Sequence, residues 1–244
     1  MKIYAHRGSS LLWPENTLLA FNHAHEAGAT GFETDLRLSK NGEIILSHDD
    51  ALHRFGKPQK IISKLAAEEI IHTKISSRDA GLQDHLITLK TLLKAFPNKD
   101  YIFDCKISDR QLFESLKQLL DDLKFHNRIW FLTWDAAGDR HVKEIFPGCD
   151  FFPRVPRSYA WGVGTLLGLN RLFEPDNTIL SLPAYHFGLP VFSARQISSI
   201  QSRGKTFVGY LINSEKDARR CRECGINIIL TDRPDLFSRT LVEN

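Results

Sequence analysis

Short apolar runs rich in β-branched and aromatic residues recur along the chain, and between most of them lie longer stretches with apolar residues at helical spacing. That alternation predicts repeated strand-helix units over a parallel sheet. The pattern places strands at residues 3–6, 31–35, 44–48, 101–105, 129–133, 150–153, 179–182, 207–212 and 228–231. Helices are expected at 17–27, 89–95, 110–124, 136–145, 160–169, 194–202 and 215–223. Asn16 is the expected N-cap of the first helix, because its side chain can satisfy an orphan backbone N–H and Pro14 precedes it. Nine strands are one more than a closed barrel needs, so one of the later ones should be irregular. The expected fold is α/β, a TIM-type (β/α)8 barrel with a small insertion after the third strand.

Two spacings depart from that repeat. Twelve residues separate Asp35 from His48, and they include the turn signal Lys40-Asn41-Gly42, so a crossover helix does not fit and a compact non-helical return is implied. By contrast, 40 residues separate His48 from Leu89, which suggests an insertion at about 51–87 lying over one mouth of the barrel. No repeat, low-complexity tract or linker divides the chain, so residues 1–244 read as one barrel domain.

Composition narrows the function. With 244 residues, 42% hydrophobic and 25% charged, the chain can bury a substantial core. Lys and Arg number 32 against 29 Asp and Glu, scattered along the chain, so nucleic acid is not an expected partner. The N-terminal segment lacks the apolar core of a signal peptide, and no stretch reaches the roughly 20 apolar residues of a membrane span. A cytoplasmic protein without stable membrane insertion is expected. Cys221 and Cys224 form a CxxC without a second pair or a His to complete a zinc set, and the four cysteines read as reduced structural thiols.

Candidate chemistry gathers at the carboxyl ends of the early strands: His6-Arg7-Gly8, Glu33-Thr34-Asp35, His48-Asp49 and Asp104-Cys105-Lys106. In a parallel barrel those ends share the face that carries active sites. Side chains alternate with period two, so Glu33 and Asp35 share a side, as do Asp104 and Lys106. Clustered carboxylates suit a hard divalent cation, Mg²⁺ or Ca²⁺, and leave His6 and His48 free for proton transfer. Arg7 and Lys106 would neutralise phosphate charge, and Trp134 would wall a small ligand. Together these groups describe phosphodiester cleavage. His186 is a further candidate for touching substrate.

Beyond this chemistry, His6-Arg7-Gly8, Pro14-Glu15-Asn16-Thr17, Ala20-Phe21, Gly28-Ala29, Glu33-x-Asp35, Asn41-Gly42, His48-Asp49-Asp50 and Thr231-Asp232-Arg233-Pro234 resemble the glycerophosphodiester phosphodiesterase family. The resemblance spans nearly the whole chain and is densest over the first 50 residues. It implies a TIM-type barrel and divalent-metal-dependent hydrolysis of small glycerophosphodiesters to sn-glycerol 3-phosphate and an alcohol. By motif, it implies that His6 and His48 are the acid–base pair and Glu33 and Asp35 metal ligands. Asp104 stands where the family usually has Glu before x-Lys, and so shortens the third ligand by one methylene. Tyr210-Leu211-Ile212-Asn213 replaces a common Trp-Thr-Val-Asn, and Thr133-Trp134 a common Ser-Phe. The rivals are a lysophospholipase D or phospholipase C-like enzyme acting on a lipid, and a non-enzymatic phosphate-ligand-binding barrel. A lipid enzyme needs an apolar collar, and the stretch 161–172 is the candidate, although its pattern reads more simply as a barrel helix burying its inner face.

Overall fold

The structure, a computed structural model, describes residues 1–77 and 81–238. Nine strands form the central sheet: β1 (Lys2–His6), β2 (Gly31–Leu38), β3 (Ile44–Leu46), β4 (Asp100–Cys105), β5 (Ile129–Leu132), β6 (Asp150–Phe151), β7 (Ile179–Leu182), β8 (Thr206–Gly209) and β9 (Ile228–Thr231). Eight of them run parallel in the order β6-β5-β4-β2-β1-β9-β8-β7. The sheet curls into a nearly closed barrel, as the sequence pattern predicts. Across the seam between β6 and β7, Asn177 Nδ2 donates to the Phe151 carbonyl at 3.0 Å, and the Thr178 hydroxyl bonds Asp150.

The supernumerary strand is the third, not one of the later ones. β3 pairs antiparallel with β2, opposing Leu46 to Leu36 and Ile44 to Leu38. The Asn41-Gly42 turn, with Gly42 at φ +83°, is too tight for a crossover helix and permits only this direct return. β2 therefore runs past the barrel rim and β3 brings the chain back. The Ser47 N–H closes on the Asp35 carbonyl at 3.1 Å, which delivers His48 beside the end of β2.

Among the described residues, seven helices of seven or more residues surround the barrel: α1 (Leu18–Glu26), α2 (Leu89–Ala95), α3 (Arg110–Asp122), α4 (Ala136–Ile145), α5 (Val155–Leu166), α6 (Ala194–Gln201) and α7 (Glu215–Glu223). Six of them start on a Thr, Ser or Asp whose side chain accepts from the first-turn backbone. The cap of α1 is Thr17 rather than Asn16, because Asn16 sits at φ +58° and turns its amide inward to Asp35. α5 has no side-chain cap but carries Pro156 in its first turn, so it starts five residues before the expected 160.

Period-two alternation sorts the core into two layers. Tyr4, Ile102, Trp130, Phe152, Ile179, Val208 and Leu230 fill the barrel interior. On β2 the corresponding place is taken by Gly31, where a Cβ would lie 2.5 Å from the Tyr4 ring. Ile3, Ala5, Phe32, Phe103, Phe131 and Ile229 face outward and pack with the helices. The residue one pleat above each interior position points into the mouth, and on β1, β2 and β4 those residues are polar.

The insertion builds its own small core, with Leu52, Ile62, Ile70, Ile75 and Leu86 packed against Ile45 of β3. It is anchored where the Lys40 N–H meets the Leu65 carbonyl and the Leu19 N–H meets Asp84.

Candidate active site

The site starts from a strained turn. After β1, Arg7 and Gly8 take φ of +55° and +82°, and a Cβ on residue 8 would lie 2.7 Å from Ala20. Only glycine fits there. The turn aims the Arg7 N–H at both the carbonyl and the carboxylate of Glu33, at 3.0 and 3.1 Å. It also leaves the guanidinium free to reach Asp35, with Nε 3.0 Å from Oδ2, and Glu15, at 3.2 Å.

Register supplies the rest. His6 opposes Glu33, and Asp35 opposes Asp104, so four acid–base groups meet across three adjacent strands. His6 Nε2 lies 3.7 Å from Glu33, while its Nδ1 meets Asp232 at 2.6 Å. Lys106 Nζ lies 2.5 Å from Asp104 and 3.1 Å from Asp35. Trp134 Nε1 donates to the other Asp104 oxygen at 2.7 Å, and the Trp134 ring underlies the Lys106 ammonium at 4.6 Å.

Electrostatics follow from burial and neighbours. Glu33, Asp35 and Asp104 are all buried. Burial pushes Glu33 up to about 8, opposed by His6 and Arg7 but reinforced by the two aspartates. Burial alone would raise Asp35 too, yet Arg7, Lys106 and the Asn16 amide hold it below the usual carboxylate range. Asp104 ends above that range through burial and the Asp35 charge, against the pull of Lys106. Burial lowers His6, but Glu33 and Asp232 outweigh it and leave the imidazole above its ordinary value. The anchoring Asp232, despite its burial, falls to about 2, because it accepts from His6, Ser10 and Asn213.

One ligand atom from each of Glu33, Asp35 and Asp104 lies within 4.8 Å of the others. Asp35 Oδ1 is buried and accepts no aligned hydrogen bond, although Lys106 stands at ion-pair distance. Three convergent carboxylates with an underused buried oxygen and an all-oxygen donor set fit a hard divalent cation.

His48 lines the same cavity as His6, Glu33 and Asp104. Its Nδ1 meets Asp49 at 2.7 Å, and its carbonyl accepts from Arg37 Nε and Nη2 at 3.1 and 2.7 Å. Arg54, from the insertion, ties Asp49 to Glu15, with Nη2 2.8 Å from Glu15. The insertion thus reaches the site through a chain of ion pairs and, among the described residues, lines none of the cavity.

That cavity holds about 340 Å³. His6, Arg7, Glu33, His48, Asp104 and Lys106 form one wall, and Trp134, which the sequence suggested as a wall, stands between it and a second, apolar wall. The second wall comes from Phe152, Tyr159, Val163, Leu166, Leu182 and Val191. His186 also lines the cavity.

The structure therefore gathers His6, Arg7, Glu33, His48, Asp104, Lys106 and Trp134 on one cavity, with Asp35 directly behind them. Sequence reasoning missed the supports: Asp232, Asn16, Glu15 and Asn213. All four lay within quoted motifs, Asn16 as an expected helix cap and the other three without stated chemistry. Tyr210 was also missed; burial and then the charges of Glu33 and Asp104 push its phenol up to about 12.

The model of the Glycerophosphoryl diester phosphodiesterase family matches residues 6–236. A glycerophosphodiester phosphodiesterase of Caldanaerobacter subterraneus subsp. tengcongensis is 24% identical over 247 residues, covering 96% of this chain and 94% of the relative. A human lysophospholipase D is 27% identical over 153 residues, covering 59% of this chain and 48% of the relative. Among solved structures, an Oleispira antarctica phosphodiesterase in complex with the product sn-glycerol-3-phosphate superposes with a TM-score of 0.76 at 20% identity, covering 100% of this chain and 97% of that one. The chain is an enzyme of the glycerophosphoryl diester phosphodiesterase family.

Proposed function

We propose that the enzyme hydrolyses glycerophosphodiesters to sn-glycerol 3-phosphate and an alcohol, with His6 and His48 as the acid–base pair and one divalent cation, Mg²⁺ or Ca²⁺, held by Glu33, Asp35 and Asp104. The observation that carries this reading is the buried carboxylate triad flanked by two imidazoles on one cavity wall. When bound, the cation supplies Lewis-acid stabilisation of charge on the phosphoryl oxygens. Arg7 and Lys106 neutralise the remaining phosphate charge and orient the diester. One imidazole takes a proton from the attacking oxygen, whether water or the neighbouring glycerol hydroxyl, and the other gives a proton to the departing alcohol oxygen. Asp232 fixes the His6 ring so that Nε2 faces the mouth, and Asp49 does the same for His48. The test is release of sn-glycerol 3-phosphate from glycerophosphocholine and glycerophosphoethanolamine with Mg²⁺, with Ca²⁺ and with EDTA. Activity restored by one metal and abolished by EDTA is expected; product formed in EDTA overturns the role of the triad.

A second reading is favoured by the apolar wall: the alcohol carries an acyl chain, and the enzyme is a lysophospholipase D. Rates on glycerophosphocholine and on a long-chain lysophosphatidylcholine separate the two, because only a lipid substrate uses Tyr159, Val163 and Leu166.

A further inference from the structure

The apolar wall continues out of the cavity onto the surface. α5 is followed by a four-residue helix, Asn170–Phe173, and the two pack closely enough that a Cβ on Gly164 would lie 2.7 Å from the Phe173 ring. Across the mouth, Tyr185–His186 and Leu189–Pro190 form a hairpin. The two pieces meet, since Leu166, Gly168 and Arg171 share a depression with Pro190, Val191 and Arg195. Together they expose Tyr159 (64%), Leu167 (69%), Leu172 (76%), Phe187 (93%) and Leu189 (62%). Isolated exposed apolar residues are ordinary, but a contiguous set at the rim of a catalytic cavity is not.

Two observations say what covers this face. First, Phe187 occupies the hairpin tip at φ +49°, a conformation that disfavours an aromatic residue, and nothing in the fold buries its ring. Folding alone does not call for it there. Second, the rim carries unpaired positive charge. Arg171 and Arg195 are exposed beside the apolar rim and make no ion pair among the described residues.

We propose that this face docks the enzyme on an anionic phospholipid bilayer, with Leu167, Leu172 and Phe187 entering the headgroup layer and Arg171 and Arg195 engaging lipid phosphates. Apolar tips beside two exposed, unpaired arginines match the amphipathic surface such an interface selects. Binding at this face turns the cavity mouth toward the lipid. It is a peripheral contact: no helix among the described residues is long and apolar enough to cross a membrane. The proposal is independent of the reaction, because vesicle binding is read without turnover.

The experiment is flotation of the full chain with vesicles of phosphatidylcholine alone and of equimolar phosphatidylcholine and phosphatidylglycerol. Binding to the mixed vesicles, weakened by salt, is expected. The double variant Leu172→Ser/Phe187→Ser should lower partitioning by about a hundredfold, at roughly tenfold per inserted side chain. Arg171→Gln/Arg195→Gln should lower it by about fivefold per charge. Unchanged hydrolysis of glycerophosphocholine in vesicle-free buffer confirms that both variants fold. Failure of the wild type to float, or equal flotation of both variants, overturns the proposal. So does a wild-type dimer that Leu172→Ser/Phe187→Ser converts to monomer, since the face is then covered by a second copy.

Discussion

The two walls of the mouth are built on opposite principles. On the wall formed by β1, β2 and β4, every charged side chain has a charged or hydrogen-bonding partner: Asp35 meets Arg7 and Asn16, Asp104 meets Lys106 and Trp134, and His6 meets Asp232. The wall formed by α5, β7 and the hairpin offers almost no polar contacts, and its side chains spill onto the surface. Buried charges survive only in a fixed network, which holds reacting groups in place. Apolar side chains impose no such geometry and accept whatever alcohol or lipid slides along them. Chemistry belongs to the first wall, and the choice of leaving group and of surface to the second.

The largest effect that would break this division is on the acid–base pair. His6→Ala and His48→Ala should each lower turnover of glycerophosphocholine by about 10²–10⁴-fold at saturating metal. Near wild-type turnover in either variant would remove that histidine from the chemistry. Next come Glu33→Gln and Asp35→Asn, expected to cost about 10²–10³-fold and to weaken the cation's heat of binding in titration calorimetry. If the same loss followed from Leu172→Ser on a soluble diester, the two walls would not be separable.

The first wall was legible in the sequence because strand geometry is simple. Glu33 and Asp35, and Asp104 and Lys106, are two residues apart on strands, and period two alone puts each pair on one side. The extra strand was not legible as such, because 44–48 has the same apolar character as its parallel neighbours and only pairing distinguishes it. The second wall was legible in part. Along 161–172, Trp161 is fully buried, as a barrel helix requires, while Leu167 and Leu172 lie past the end of α5 and are exposed, and apolar residue type alone does not mark where the helix stops. The supports Asp232 and Asn16 were overlooked because their partners are remote: Asp232 is 226 residues from His6, and Asn16 is recruited by a left-handed turn.

Asp232 offers a finer probe of the first wall. Asp232→Asn removes a negative charge that raises His6 and weakens the hydrogen bond that does the same, because an amide oxygen is a poorer acceptor than a carboxylate, so the His6 pKa must fall. The limb of the pH–rate profile that reports His6 should move to lower pH, whichever proton the imidazole carries in the reaction. Turnover should drop by about 10–100-fold, as for other groups that orient a reacting side chain. An unshifted profile would mean that Asp232 merely supports the fold.

The smallest expected effect lies where the two walls meet. Trp134 belongs to both: its indole N–H holds Asp104, its ring carries Lys106, and half of its surface lies open to the cavity. Trp134→Phe keeps an aromatic face for the ammonium and the apolar lining but loses the donor to Asp104. A hydrogen bond to a charged group contributes about 1.5–3 kcal/mol, and the half-exposed position favours the lower end, so kcat should fall by roughly tenfold. KM for glycerophosphocholine should barely move, because the lining is retained. Trp134→Ala removes both contributions and should raise KM as well, more for a long-chain lysophosphatidylcholine than for a soluble diester. Equal changes on the two substrates would mean that the indole serves only the charged wall and that the apolar one begins at Tyr159.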